Sequence, residues 1–152
     1  MTVPFIHNRS INWGDTDAAN IAYTVRFLDY CLEAIEDWFR HICQTDWYIL
    51  NLDRSTGTPF VNVNMDFKAP LTPRHRLNTH VLIARLGNAS LTFCLRGVRS
   101  DGVTSFEAHL TCCFINNREM TSIEIPEDIR RCIEIYIKAG GAVQVTGSQK
   151  ET

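Results

Sequence analysis

The sequence predicts an α+β fold, with an antiparallel five-stranded sheet wrapped around one long central helix and a further helix near the C-terminal end. Three observations carry that expectation. Apolar residues recur at steps of three and four over residues 24–42. Apolar and polar residues alternate in four segments between residues 60 and 114, joined largely by short turns. A chain of 152 residues with 45% apolar content suffices for one core and little more.

Taken in order, Phe5, Ile6, Ile11 and Trp13 alternate weakly and give a leading strand over residues 5–13. From Phe27 onward, Leu28, Cys31, Leu32, Ile35, Phe39 and Ile42 fall within one sector at about 100° per residue, the stripe of an amphipathic helix. The pattern lapses between Cys43 and Gly57, where Trp47, Tyr48, Ile49, Leu50 and Leu52 suit a short second helix or a lid. Phe60, Val61, Val63, Met65 and Phe67, interleaved with Asn62, Asn64, Asp66 and Lys68, read as a half-buried strand ended near Pro70 and Pro73. A strand over Leu77–Leu86 turns at Gly87-Asn88 and returns from Leu91 to Arg99, and Asp101-Gly102 makes another tight hairpin. The last strand alternates Thr104, Phe106, Ala108, Leu110, Cys112 and Phe114. A closing helix starts after Pro126, with acidic residues in its first turn. Residues 1–139 should form a single domain, and the small, polar residues 140–152 read as a flexible tail.

Composition excludes several function classes. A formal charge of −2 and a pI near 6.2 give no basic footprint for nucleic acid. The N-terminus lacks a basic segment followed by a long apolar run, and no later run approaches the roughly 18 apolar residues of a membrane span. A cytoplasmic protein without a membrane span is expected. Cys31, Cys43, Cys94, Cys112, Cys113 and Cys132 show no disulfide-framework spacing and read as buried free thiols. No CxxC, HxxxH or His-rich cluster occurs, so no metal is expected.

The most informative segment is Trp13 to Tyr30, in which a polar loop carrying Asp15 and Asp17 runs into the first turn of the apolar helix. The opening turn of a helix leaves backbone N–H groups unpaired and carries partial positive charge, which suits a developing oxyanion. A carboxylate just upstream can serve as a base toward water or as a nucleophile on a carbonyl held there. Acyl transfer is the reaction class this suggests.

The fragment Gly14-Asp15-Thr16-Asp17-Ala18-Ala19-Asn20-Ile21-Ala22-Tyr23, leading into Phe27-Leu28-Asp29-Tyr30, resembles the signature of the 4-hydroxybenzoyl-CoA thioesterase family of hotdog-fold proteins. The strand order agrees from residue 5 to about residue 136, nearly the whole chain. The resemblance implies that Asp17 is the catalytic carboxylate and that backbone N–H groups around Tyr23 and Thr24 polarise the thioester carbonyl. It also implies an acyl-CoA substrate, with CoA arriving as part of that substrate and no separate cofactor. Gly57-Thr58-Pro59-Phe60-Val61-Asn62 looks like the family's stretch beside the pantetheine arm, which points to Val61 and Asn62. Gly87-Asn88-Ala89-Ser90-Leu91 looks like its turn between two sheet strands, which points to Asn88. Where many members carry Gly, this chain has Asn20, a residue that tolerates positive φ well. Charge and strand-end position make Arg74, Arg76, Arg85 and Arg99 candidates for the CoA phosphates, with Arg74 and Arg85 first.

Other readings compete at several positions. From the pattern alone, Asp15 and Asp17 both read equally as loop residues that cap backbone N–H groups, the common role of Asp just before a helix; the resemblance implies catalysis for Asp17 and leaves Asp15 as a loop stabiliser. The Asp15-x-Asp17 spacing matches the start of a calcium loop, but no glycine stands at the sixth position and no acid at the twelfth. Glu33 and Glu36 lie about 140° and 80° from the centre of the apolar sector, so both read as solvated helix acids. Trp13 reads as core or interface packing, while Tyr23 and Trp47 are equally open to packing and to an acyl pocket. His75, His80 and His109 have no triad-like acid, and Ser90 lies outside any nucleophile elbow.

Three functional readings follow. The first is an acyl-CoA thioesterase using Asp17. Second comes a hotdog module that binds acyl-CoA or a protein without turnover. An enoyl-CoA hydratase is third, although no histidine follows the loop before His41. One helix partly wrapped by a sheet leaves edges uncovered, so a homodimer or homotetramer is expected. Nothing in the spacing of Tyr23, Trp47 or residues 43–57 selects the acyl group.

Overall fold

The computed structural model describes residues 1–144. Five strands, β1 (Phe5–Ser10), β3 (Phe60–Phe67), β4 (Arg76–Leu86), β5 (Ser90–Arg99) and β6 (Thr104–Cys113), form one antiparallel sheet in the order β1-β4-β5-β6-β3. The helix α1 (Thr24–Trp38) crosses the concave face, packed mainly on β4 and β1. It continues through a π-helical turn, Phe39–Cys43, so the expected helix over 24–42 forms almost in full. Its buried residues Phe27, Tyr30, Cys31, Ala34, Ile35 and Trp38 meet Leu77, Val81, Phe93, Leu95, Phe106 and Leu110 from the sheet, which is the core that the two periodicities predict. At Gly97 the sheet packs so closely that an added Cβ would lie 2.1 Å from Cε1 of Phe106.

The second helix, α2 (Glu127–Tyr136), closes the far end. Its Arg130 donates through Nη2 to the carbonyls of Gly87 (2.7 Å) and Asn88 (3.0 Å), tying it to the β4–β5 hairpin. The Tyr136 hydroxyl donates to the Val81 carbonyl at 2.5 Å and accepts the Phe5 N–H at 2.8 Å.

Several expectations are corrected here. The leading strand stops at Ser10 rather than residue 13, because Trp13–Asp15 turns into a short 3-10 helix, and Trp13 is 73% exposed rather than core. The strand β3 is not half-buried: only Phe60 and Met65 are partly covered, while Val61 and Val63 are exposed. Among the described residues it is a sheet edge with no strand beyond it. A second, three-stranded sheet, β2 (Thr56–Gly57), β7 (Ile115–Asn116) and β8 (Thr121–Ser122), was not expected at all. Residues 140–143 are held against the fold rather than free. Gly140 adopts φ 103°, Gly141 is buried, and Val143 N–H donates to the Ile83 carbonyl at 3.0 Å. The expectation for residues 145–152 lies outside the described residues.

All six cysteines are free thiols, with Cys31 and Cys112 buried and the other four half-buried. Burial pushes the Cys31 and Cys112 thiols up to about 12. No helix among the described residues is long and apolar enough to cross a membrane.

Candidate active site

The loop between β1 and α1 is held mostly by its main chain. Asp17 N–H donates to the Ile21 carbonyl at 3.0 Å, and Asn20 N–H donates to the Asp17 carbonyl at 2.9 Å. Thr16 and Ala22 form an isolated antiparallel bridge, and Ala22 N–H reaches the Leu71 carbonyl at 2.8 Å. Asn20 takes φ 61°, the left-handed conformation that Asn tolerates and that glycine adopts most easily. Within this frame Asp17 is exposed; its Oδ1 accepts the Ala19 N–H at 2.8 Å, and its Oδ2 has no partner among the described residues.

Asp15 turns the other way. Its Oδ2 accepts the Asn12 N–H at 2.9 Å and a guanidinium N–H of Arg9 at 3.2 Å, and its side chain is only 13% exposed. Arg9 also donates to Glu33 (2.7 Å to Oε1) and stacks 4.4 Å from the Tyr30 ring centroid. Glu33 is therefore paired, as is Glu36, whose Oε1 accepts from Arg40 at 2.8 Å. Burial, reinforced by the negative charge of Asp15, raises the Tyr30 phenol above its ordinary value, so it stays protonated.

Tyr23 caps α1 in an extended conformation (φ −81°, ψ 156°), and its side chain makes no capping hydrogen bond to the helix start. Its N–H is already engaged, donating to the Asp15 carbonyl at 3.1 Å, so the donor role expected of Tyr23 is corrected. Arg26 N–H is also taken, by the Tyr23 carbonyl at 2.9 Å. The Thr24 and Val25 N–H groups are the orphan donors of the first turn among the described residues.

The remaining candidates are not gathered into one place within a single chain. Val61 and Asn62 lie exposed on the β3 edge, at the end where β3 begins. Arg74 lies just before β4 and Arg85 near its far end, about 30 Å apart at the usual rise of a strand. Neither forms an ion pair among the described residues. Arg76 is committed to Asn8 and Ser10, and Arg99 to Asp101 and the Pro70 carbonyl. Asn88 serves the fold, its carbonyl accepting the Ile125 N–H at 3.0 Å. His75 is structural, accepting the Thr72 N–H at Nδ1 (3.0 Å), and His109 is exposed.

Three hollows surround this region. At the N-terminus of α1, a cavity of about 390 Å³ is lined by Thr24, Phe27, Phe67, Lys68 and Pro70. An apolar cavity of about 490 Å³ lies between α1 and the start of β3, walled by Leu32, Trp47, Thr58, Phe60, Ile115 and Met120. A polar one of about 250 Å³, bordered by Arg9, Asp15, Arg26, Tyr30 and Glu33, adjoins it at Leu32 and Trp47. Ile115 and Met120 were not foreseen, because they reach this wall through the small β2-β7-β8 sheet.

A sheet curled around one helix, with an acid-bearing loop at the helix start, defines the class of hotdog thioesterases. The chain belongs to the thioesterase-like superfamily, whose family model matches residues 11–133. A thioesterase-superfamily structure from Jannaschia sp. CCS1 is 43% identical, covers 88% of this chain and 92% of its own, and superposes with a TM-score of 0.82. The 1,4-dihydroxy-2-naphthoyl-CoA thioesterase of Synechocystis has the same fold at 22% identity, with 85% of this chain and 94% of that one covered and a TM-score of 0.79. The 1,4-dihydroxy-2-naphthoyl-CoA hydrolase of Crocosphaera subtropica is 30% identical over 80 residues, 53% of this chain. That match spans 58% of the curated relative's length.

Proposed function

We propose that the chain is an acyl-CoA thioesterase, hydrolysing the thioester of a small acyl- or aryl-CoA to free acid and CoA. The observation that carries this reading is the pairing of a main-chain-fixed, exposed Asp17 with the uncapped first turn of α1. Asp17 takes the proton of a water attacking the thioester carbon, or attacks that carbon itself and releases the acid when water follows. Either route places negative charge on the carbonyl oxygen, where Thr24 and Val25 N–H donate to it. One such donor is worth roughly 3–4 kcal/mol of transition-state stabilisation. The bond to sulfur then breaks and CoA leaves as the thiol. The relatives named as CoA-thioester hydrolases support the same reaction class.

The working unit in this reading is a homodimer, or a tetramer of such dimers. Two β3 edges paired about a two-fold axis set the Phe60 end of one copy beside the Phe67 end of the other. The Thr24 and Asp17 end of one copy then faces the apolar cavity of its neighbour, with Val61 and Asn62 at the seam. The same pairing puts Arg74 of one copy and Arg85 of the other at one end of the joined sheet, where CoA phosphates need cations.

The test is thiol release measured with DTNB across 4-hydroxybenzoyl-, benzoyl-, acetyl-, hexanoyl- and palmitoyl-CoA, wild type beside Asp17→Asn. Turnover by wild type and a loss of orders of magnitude in kcat for the variant, with its melting temperature nearly unchanged, is expected. An active Asp17→Asn variant overturns the role of Asp17. Silence of the folded wild type across the panel favours the non-catalytic binding module.

A further inference from the structure

The far end of α1 lies against α2, and two contacts fix how they pass each other. The Trp38 and Tyr136 rings stand 5.5 Å apart, nearly edge to face. Arg54 holds Asp128 through two hydrogen bonds of 2.8 Å. As the chain runs on from residue 38 to residue 54, its partners on α2 therefore step back from 136 to 128. Cys43 and Cys132 fall between these two contacts. Cys43 ends the π-helical turn that follows Trp38 and packs on α2, while Cys132 stands one turn before Tyr136 on the same side of its helix.

The two thiols are direct neighbours. Burial first, then the Cys132 thiol and the Asp128 carboxylate, pushes the Cys43 thiol above its ordinary value. Both residues are half-buried, so an oxidant can reach the pair. The other four cysteines lack such an arrangement among the described residues. Cys112 and Cys113 are adjacent in sequence but point to opposite faces of β6, Cys94 stands across from His109, and Cys31 is buried within α1. Neither Cys43 nor Cys132 lines the hollows around Asp17. A thiol pair spanning two packed helices suits a disulfide, because the packing already holds together the ends of the long loop that the bond closes.

We propose that Cys43 and Cys132 form a reversible disulfide when the protein meets a peroxide, stapling the end of α1 to α2. Because Cys43 holds its proton, Cys132 is the thiol that meets the oxidant. Its thiolate attacks one oxygen of hydrogen peroxide, the O–O bond breaks, and a sulfenic acid and one water result. Cys43 then gives up its proton as its sulfur displaces the hydroxyl of the sulfenic acid, which leaves as a second water. The two thiols lose two electrons in all, and the peroxide takes them. A dithiol reductant reverses the change. Arg54 already ties the chain to Asp128, so the disulfide fixes both ends of residues 43–54, the segment that carries Trp47 into the wall of the apolar cavity. This pairing stands whether or not the chain hydrolyses a thioester.

The experiment treats the reduced full chain with hydrogen peroxide, alkylates the remaining thiols and maps tryptic peptides without reductant. The intact mass should fall by about 2 Da for the two hydrogens lost. Free thiols should drop from six to four, and the peptide 41–54 should be found joined to the peptide 132–138. The oxidised protein should melt about 5 °C or more above the reduced one, with a dithiol reductant reversing mass and melting together. Cys43→Ser and Cys132→Ser should each abolish the link and the shift; if a variant fails to fold, the wild-type peptide map and its reversal carry the test. A link between two copies, a link through other cysteines, or sulfinic and sulfonic acid at Cys132 in place of the link overturns the proposal. All six thiols left intact by peroxide that oxidises free cysteine overturns it as well.

Discussion

Arg9 on β1 donates to the Asp15 carboxylate at 3.2 Å, and the two side chains are 16% and 13% exposed. The first strand thereby braces the loop that presents Asp17. Asp15→Ala leaves the Asn12 N–H unpaired and Arg9 with Glu33 alone, a cost of about 1–3 kcal/mol. For a chain of this size, a drop of about 2–4 °C in Tm per kcal/mol is expected in a thermal melt. An unchanged Tm would show that the loop needs only its main-chain bonds.

Thr24 is the first residue of α1, the position where proline is tolerated, and Tyr23 before it is already extended, as a residue preceding proline must be. Thr24→Pro therefore deletes one N–H while keeping the helix. A fall in kcat of about 10²–10³-fold, with a Tm close to wild type, is expected. Full activity in this variant would remove Thr24 from the oxyanion site.

Val63 lies in the middle of the uncovered edge, 45% exposed. A lysine there blocks strand addition. Sedimentation at micromolar concentration should give a dimer or larger assembly for wild type and a monomer for Val63→Lys, which should also lose thiol release. A fully active wild-type monomer would contradict the composite site.

The Arg99 guanidinium beside Asp101 holds its carboxyl down to about 2, below the ordinary 3.8. Because the native carboxyl titrates lower than the unfolded one, the pair stabilises the fold above the ordinary value and loses that contribution as pH falls toward about 2. Asp101→Asn should melt below wild type at pH 7, and the gap should close between pH 3.8 and about 2. A gap that stays constant with pH would mean that the charge does nothing for stability.

The central helix and the four long strands were legible because each carries enough residues for a period to repeat. Two-residue strands such as Thr56–Gly57 and Ile115–Asn116 hold no period, so the second sheet was invisible in the sequence, and with it the route by which Ile115 and Met120 reach the cavity wall. Alternation in β3 marked Val61 and Val63 as one apolar face but carried no information about what covers it. At the site, side-chain chemistry marked Asp15 and Asp17 alike and only the family resemblance separated them, whereas the engagement of the Tyr23 N–H by the Asp15 carbonyl is a main-chain event that side-chain identities do not encode.

The Asp17 loop keeps its shape through main-chain bonds from Asp17, Asn20, Ala22 and Tyr23, and only position 20 demands an unusual φ. The exposed side chains at 18 and 19 are thus free to vary without moving the carboxylate. In the proposed thioesterase reading, the walls of the acyl cavity are drawn from Trp47, Thr58 and Met120, on other segments altogether. On that reading the reaction and the choice of substrate sit on separate stretches of chain, so substitutions can change one without the other.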